Sequence, residues 1–189
     1  MKKLYIIAGC NGAGKTTASY TVLPEMLSCR EFVNADEIAK GLSPFNPASV
    51  RIEAGRIMLL RIKELLNEGV DFALETTLST RSYVSLIKRA KEKGYYVTLL
   101  FFWLNDPQLA VDRVELRAAS GGHSISEEVV RRRYARGLEN LFGHYQAIAD
   151  YWIIVDNSLL SFEVIAEGEH KKIKTIPNPL SYKLMQTYE

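Results

Sequence analysis

The sequence is poor in the residues that cage metals or staple small folds: 189 residues hold two cysteines and three histidines. Cys10 and Cys29 show neither metal-ligand nor redox-motif spacing, and a reducing compartment leaves them as thiols. His123, His144 and His170 are likewise too scattered to suggest a ligand set. No apolar run is long enough for a membrane: the longest, Tyr95 to Leu104, has ten residues where a bilayer needs about twenty. Charge of one sign is also scarce, because 24 cations against 22 acids leave +2, too little to argue for nucleic acid without clustering. Low-complexity tracts and internal repeats are missing, and with 47% apolar and 24% charged residues the composition is that of an ordinary globular chain. The start, Met1-Lys2-Lys3, is basic, but the short apolar stretch behind it leads into a glycine-rich loop rather than a cleavage site, so a cytoplasmic protein is expected.

That loop is the most informative segment. Residues 9–16, Gly-Cys-Asn-Gly-Ala-Gly-Lys-Thr, fit G-x-x-x-x-G-K-[ST] and follow the apolar run Leu4 to Ala8. Glycines at 9, 12 and 14 let successive N–H groups turn inward on phosphate oxygens. Lys15 supplies a point charge for the β- and γ-phosphates, and Thr16 offers a hydroxyl to Mg²⁺. The helix that begins there adds the partial positive charge of its N-terminus. Gly9, Asn11, Gly12, Ala13, Gly14, Lys15, Thr16 and Thr17 are therefore the expected cofactor-binding residues, for ATP with GTP as the alternative, and Thr16 is the expected metal contact. Cys10 in this loop is either a thiol activated by the helix start or a small inert side chain.

Strand and helix signals alternate along the chain, which argues for a doubly wound parallel sheet of about five strands with helices on both faces, at a length typical of one domain (1–189). A helix after the loop runs to about Leu27, and Glu31–Asn34 reads as a strand. Asn46-Pro47 opens a long helix that Gly69 stops, with Met58, Ile62, Leu65 and Leu66 at helical spacing. Asp71–Glu75 is the next strand, Tyr83, Ile87 and Ala90 mark a helix ending at Gly94, and Tyr95–Leu104 is a strand covered on both faces. Asp106-Pro107 starts another helix, and Ser126 caps a further one with an Ile125–Val130 staple. Tyr151–Val155 is the fifth strand, and residues 160–189 read as an appendage: an antiparallel hairpin around Gly168 and a short helix.

Several side chains then gather where parallel strands end. Asp36, just past the second strand, is placed to take a proton from a substrate hydroxyl, although both it and Glu37 equally suit the first turn of a helix. Asn34, Glu75, Thr76, Thr77 and Arg81 are candidates for holding the acceptor, with Glu75 also able to meet a metal-bound water. Glu75, Asp106 and Asp156 each fit loosely as the acid beside the metal. Arg113 and Arg117 share a helix face and repel unless an anion lies between them, and Arg132 and Arg133 load the start of the next helix. With Gly121-Gly122 between, residues 112–137 read as a lid that brings guanidinium groups to the transferring phosphoryl, His123 being a lid contact. Nucleic acid is not the expected partner, since only Tyr134 interleaves these cations as a stacking aromatic.

Taken together, the loop at 9–16, the run 34–38 (Asn-Ala-Asp-Glu-Ile), the run 72–78 (Phe-Ala-Leu-Glu-Thr-Thr-Leu), Gly121-Gly122-His123 and the nearby arginines resemble the zeta toxin-like P-loop kinases, in order from residue 4 to about 158. The resemblance implies ATP or GTP binding and phosphoryl transfer to a small molecule. In zeta toxins proper the acceptor is the 3′-hydroxyl of UDP-N-acetylglucosamine. By that likeness Lys15 holds phosphates, Asp36 acts as base and Glu75 holds the sugar. Arg117 or Arg113 matches the first member of the family's arginine pair, and His123 stands where the second is sought, with Arg132 and Arg133 a turn or more beyond. A nucleotide-binding regulator with little turnover and a kinase of another metabolite remain open readings, and an antitoxin-like partner is specified by no residue pattern.

Overall fold

The computed structural model describes residues 1–119, 124–159 and 161–188. The chain begins with strand β1 (Lys2–Gly9), which feeds the glycine loop and helix α1 (Lys15–Thr21). The helical path continues as a π-helical turn over Val22–Met26, within which Pro24 has no N–H to give to a regular α-helical ladder. Then come β2 (Glu31–Val33), α2 (Ala35–Leu42), a 3₁₀ turn (Pro47–Val50), α3 (Arg51–Glu68), β3 (Phe72–Thr76), α4 (Ser82–Glu92) and β4 (Tyr95–Trp103). The remainder is α5 (Pro107–Ala119), α6 (Glu127–Asn140), a π-helical stretch (Leu141–Tyr145), α7 (Gln146–Ile148), β5 (Tyr151–Asp156), β6 (Glu163–Glu169), β7 (Lys172–Thr175) and α8 (Pro179–Gln186).

The strands form one sheet in the order β2-β3-β1-β4-β5-β6-β7, parallel through β5 and antiparallel beyond it. This is the expected P-loop α/β fold, with β1 among its central strands. Leu4 to Ala8 are at most 4% exposed, so both faces of that strand are covered, as an unbroken apolar run requires. Helix α3 turns Met58, Ile62, Leu65 and Leu66 inward, and Gly69 ends it in a left-handed conformation. A single apolar core extends from Leu4 in β1 to Met185 in α8.

Three local expectations are corrected. Pro47 opens a 3₁₀ turn, and the long α-helix starts only at Arg51. Ser126 makes no side-chain cap, although Ile125 and Val130 do pack inward. The hairpin turns at His170-Lys171, not around Gly168. Gly168 lies inside β6 because Trp152 sits across it: a Cβ there would stand 2.4 Å from the indole ring. The hairpin is also no loose appendage, since β6 pairs along β5 and makes the sheet seven-stranded. Tyr182 and Tyr188 meet Phe142 and Tyr134 edge-on at 5.7 and 5.5 Å, docking the C-terminal helix and the residues after it on α6 and its extension.

Candidate active site

Five parallel strands end on one side of the sheet, and the chain that leaves each of them forms the site. Gly9 pairs beside Phe102 and Ala8 beside Thr76, so β1 delivers the loop between the ends of β3 and β4. A Cβ on Gly9 would lie 2.2 Å from the Phe102 carbonyl oxygen, and its φ of 140° suits glycine alone. At Gly14, φ 79°, a Cβ would strike the Asn157 amide, whose Nδ2 donates to Ala13 O at 2.8 Å. The residue after β5 thus braces the loop after β1.

Lys15, 6% exposed, donates to Cys10 O at 2.9 Å, and its Nζ is 3.5 Å from Glu75 Oε1. Glu75 Oε2 accepts from Thr16 Oγ1 and from Asn34 Nδ2, each at 2.8 Å. Asn34 caps α2, its Oδ1 accepting from Asp36 N at 2.8 Å and Glu37 N at 3.4 Å. That cap fixes the first turn of α2 and with it Asp36, whose exposed side chain borders the cavity.

The cavity has a volume of about 480 Å³. Asn11, Gly12, Gly14, Lys15, Thr16 and Thr17 line it on the nucleotide side. Asn34, Asp36, Glu75, Thr76 and Thr77 face them, and Arg113, Arg117 and Arg133 close it from the helices expected to form a lid. Most of the expected site is therefore brought together. Gly9 and Ala13 shape the loop from behind. Arg133 donates to Asn11 Oδ1 at 3.0 Å. Burial lowers its pKa, and the neighbouring Arg51 and Arg132 push the same way while Asp36 opposes them.

Other expected residues are engaged in contacts of their own or lie outside the cavity. Arg113 is a clamp, donating to the carbonyls of Asn157 and Ser158 at 2.9 Å each and to Gly12 O at 3.5 Å. Arg132 points away from Arg133, as neighbours on a helix must, and pairs with Glu128 at 3.5 Å outside the cavity. Arg81, just before α4, is 67% exposed and leans toward Glu139 at 4.0 Å, so it does not line the cavity. His123 and the Gly-Gly break lie outside the described residues. Helix α6 packs on the core: Val130 is fully buried, and Tyr134 donates to Leu104 O at 2.6 Å. The Cys10 thiol is not activated, because burial pushes its pKa up to about 11.

Met58, Ser79, Thr80, Ser82 and Tyr83 also line the cavity and were not expected there. Ser79 and Thr80 extend the hydroxyl-rich run at 76–77, a usable signal. Met58 and Tyr83 fit the helical core pattern, which hid them. The 77–80 loop is held from outside: Asn140 Nδ2 donates to Leu78 O at 2.8 Å and Tyr145 Oη to Thr80 O at 2.6 Å.

The zeta toxin family model matches residues 1–160. The chain belongs to the zeta toxin family. It is 32% identical over 140 residues to an uncharacterized protein of Haemophilus influenzae, spanning 70% of this chain and 98% of that one. Among solved structures, the AvrRxo1-ORF1:ORF2 complex with ATP superposes at a TM-score of 0.79 with 16% identity, covering all of this chain and 64% of that one. The chain thus spans under two thirds of that neighbour. The PezAT chromosomal toxin–antitoxin system of Streptococcus pneumoniae superposes at 0.66, also at 16% identity, covering 99% and 84% of the two chains. These two likenesses establish the fold. Membership of the family, on a P-loop kinase fold, supports a nucleotide-dependent, kinase-like function. No helix among the described residues is long and apolar enough to cross a membrane.

Proposed function

We propose that this zeta toxin family member is an ATP- and Mg²⁺-dependent kinase that transfers the γ-phosphoryl group to a hydroxyl of a small molecule, with a UDP-amino sugar such as UDP-N-acetylglucosamine as the first acceptor to test. One observation carries the reading: a phosphate cradle, a carboxylate and guanidinium groups border a single cavity of about 480 Å³. Phosphoryl transfer asks the protein mainly for positioning and charge stabilisation, and these groups supply both.

In this mechanism the loop amides and Lys15 hold the phosphates. Mg²⁺, carried in on the nucleotide and met by the Thr16 hydroxyl, would neutralise phosphate charge. The fit is chemical: the Thr16 hydroxyl lines the cavity and the Glu75 carboxylate stands beside it, oxygen groups that suit a hard cation which keeps its waters and its phosphate ligands. The acceptor oxygen attacks the γ-phosphorus, the bond to the bridging oxygen breaks, and ADP leaves. Asp36 takes the hydroxyl proton as that bond forms. Arg117 and Arg133 stabilise the charge on the transferring group, while Arg113 acts on the loop through its carbonyl contacts. Thr76, Thr77, Ser79 and Thr80 offer polar contacts to the acceptor, while Asn34 is taken up by the cap of α2 and by Glu75.

The test is transfer of label from γ-labelled ATP to a panel of UDP-sugars, free sugars and nucleosides, by the native chain and by Asp36→Asn. The variant should retain nucleotide binding and lose about 10²- to 10⁴-fold in transfer. Undiminished transfer removes Asp36 as base, label on a different acceptor redirects the substrate assignment, and nucleotide binding without transfer to any of them favours a regulator.

A further inference from the structure

Four residues of the cavity wall, Ala35, Met58, Ser82 and Tyr83, also line a second hollow of about 620 Å³. It lies between α3 and α4, which each run back toward the start of a parallel strand, so it leads away from the strand ends that carry the site. Its floor is apolar: Met58 and Ile62 from one helix and Leu86 from the other are buried. Met58 and Tyr83 form a saddle between the two hollows. The phenol Oη turns to the Met58 thioether at 3.9 Å, a weak acceptor that a ligand oxygen can replace.

Charge is sorted around α3. Glu64 and Glu68 meet Arg61 at 3.3 and 3.8 Å, on the side of β2, where Arg61 also pairs with Glu31 at 3.0 Å. Arg56 and Lys63 line the other side, and Arg89 joins them from α4. Among the described residues, none of these three cations has an ion pair or a side-chain hydrogen bond, and no carboxylate lines the hollow. Lys63 follows Met58 by five residues and Arg89 follows Ser82 by seven, so both stand roughly 7–10 Å beyond the saddle along their helices. Three like charges beside an apolar floor repel one another until an anion lies among them, and a phosphate suits guanidinium and ammonium donors best.

We propose that this hollow is a tail subsite for the acceptor. The hydroxyl-bearing head lies beside Asp36, the body crosses the Met58–Tyr83 saddle, and a phosphate or diphosphate end sits among Arg56, Lys63 and Arg89. The acceptor class is thereby a phosphorylated molecule rather than a neutral sugar or nucleoside. The inference rests on the kinase reading and deepens it, because it assigns the discrimination to three residues outside the reacting centre.

Transfer kinetics with N-acetylglucosamine, its 1-phosphate and its UDP ester test it, in native protein, in the double variant Arg56→Gln with Arg89→Gln, and in Arg89→Glu. Native kcat/KM should rise about tenfold or more from the neutral to the phosphorylated acceptors, mainly through KM, and the gain should shrink as salt is raised. The double variant should lose about tenfold of that preference, and Arg89→Glu at least as much, while ATP affinity and the rate with the neutral sugar stay native. Calorimetry of the same compounds into protein saturated with a non-hydrolysable ATP analogue measures binding with the glycine loop already filled. Thermal melts establish that each variant is folded, and should one fail to fold, the other decides. Equal use of neutral and phosphorylated acceptors, or a preference unchanged in a folded variant, overturns the tail subsite and leaves the kinase reading standing. Binding that weakens in the variants as expected, without transfer by the native chain, overturns the kinase reading alone. Native protein that binds none of the three overturns the subsite together with the acceptor assignment.

Discussion

Asn140 and Leu78 are joined by a buried hydrogen bond, Nδ2 to carbonyl oxygen at 2.8 Å, across 62 residues of sequence. Leu78 is fully buried at φ 53°, a conformation that a non-glycine residue keeps only when its surroundings hold it there. The restraint comes from α6, the helix that also carries Arg133. Replacing Asn140 with Leu leaves the carbonyl unpaired, and a loss of about 1–3 kcal/mol in urea denaturation is expected. If the 77–80 loop contacts the acceptor, the same variant raises acceptor KM while ATP affinity stays near native.

The arginines should separate by what they touch. Arg113→Ala removes donors from the carbonyls of Asn157, Ser158 and Gly12, so weaker ATP binding and a lower melting temperature are expected, together worth about 1–3 kcal/mol. Arg117→Ala should leave the melting temperature near native and act on turnover. Equal effects of both substitutions on stability would remove the distinction between clamp and catalyst.

Burial pushes the thiols of Cys10 and Cys29 up to about 11 each. An unperturbed thiol ionises at 9.0, so the native state binds more protons between that pH and about 11. Stability from these groups is intact below the unfolded value and is lost as pH rises through the folded one. Iodoacetamide labelling of the native chain at about pH 8 should accordingly be far slower than in urea. Denaturation midpoints should fall between about pH 9 and about pH 11, less so in a Cys10→Ala, Cys29→Ala variant.

Gly168→Ala tests the joint between β6 and β5. The new methyl would lie 2.3 Å from Lys172 O and 2.4 Å from the Trp152 ring, so a loss of about 1–3 kcal/mol is expected. Tryptophan fluorescence should shift with it, because Trp152 donates from Nε1 to His170 O at 2.7 Å in the same hairpin.

The sheet core and the glycine loop that leads into α1 are legible because their signals are local. An unbroken apolar run, a glycine-lysine-threonine loop and helix breaks at Gly69 and Gly94 each act within a few residues. Side-chain direction was not legible. Arg132 and Arg133 are adjacent in sequence, yet only the latter enters the cavity, since about 100° of helix rotation separates them. Met58 and Tyr83 satisfy a core pattern and a cavity wall at once. Among Glu75, Asp106 and Asp156, only the register of β3 against β1 selects the acid that reaches Thr16. The position of the hairpin turn is not legible, because Gly168 is required by the indole of Trp152 on the neighbouring strand, a reason no local pattern carries.

The pairing of β6 with β5 bears on where the polypeptide can be shortened. The family model matches only as far as residue 160, and a protein cut there would keep every proposed nucleotide contact. It would also strip β5 of its neighbour, baring a row of amides and carbonyls beside Trp152, a template on which a second molecule can add its own strand. Such a truncate should self-associate, and anyone trimming this protein to its nucleotide-handling part would find the closing hairpin and helix indispensable for keeping it monodisperse.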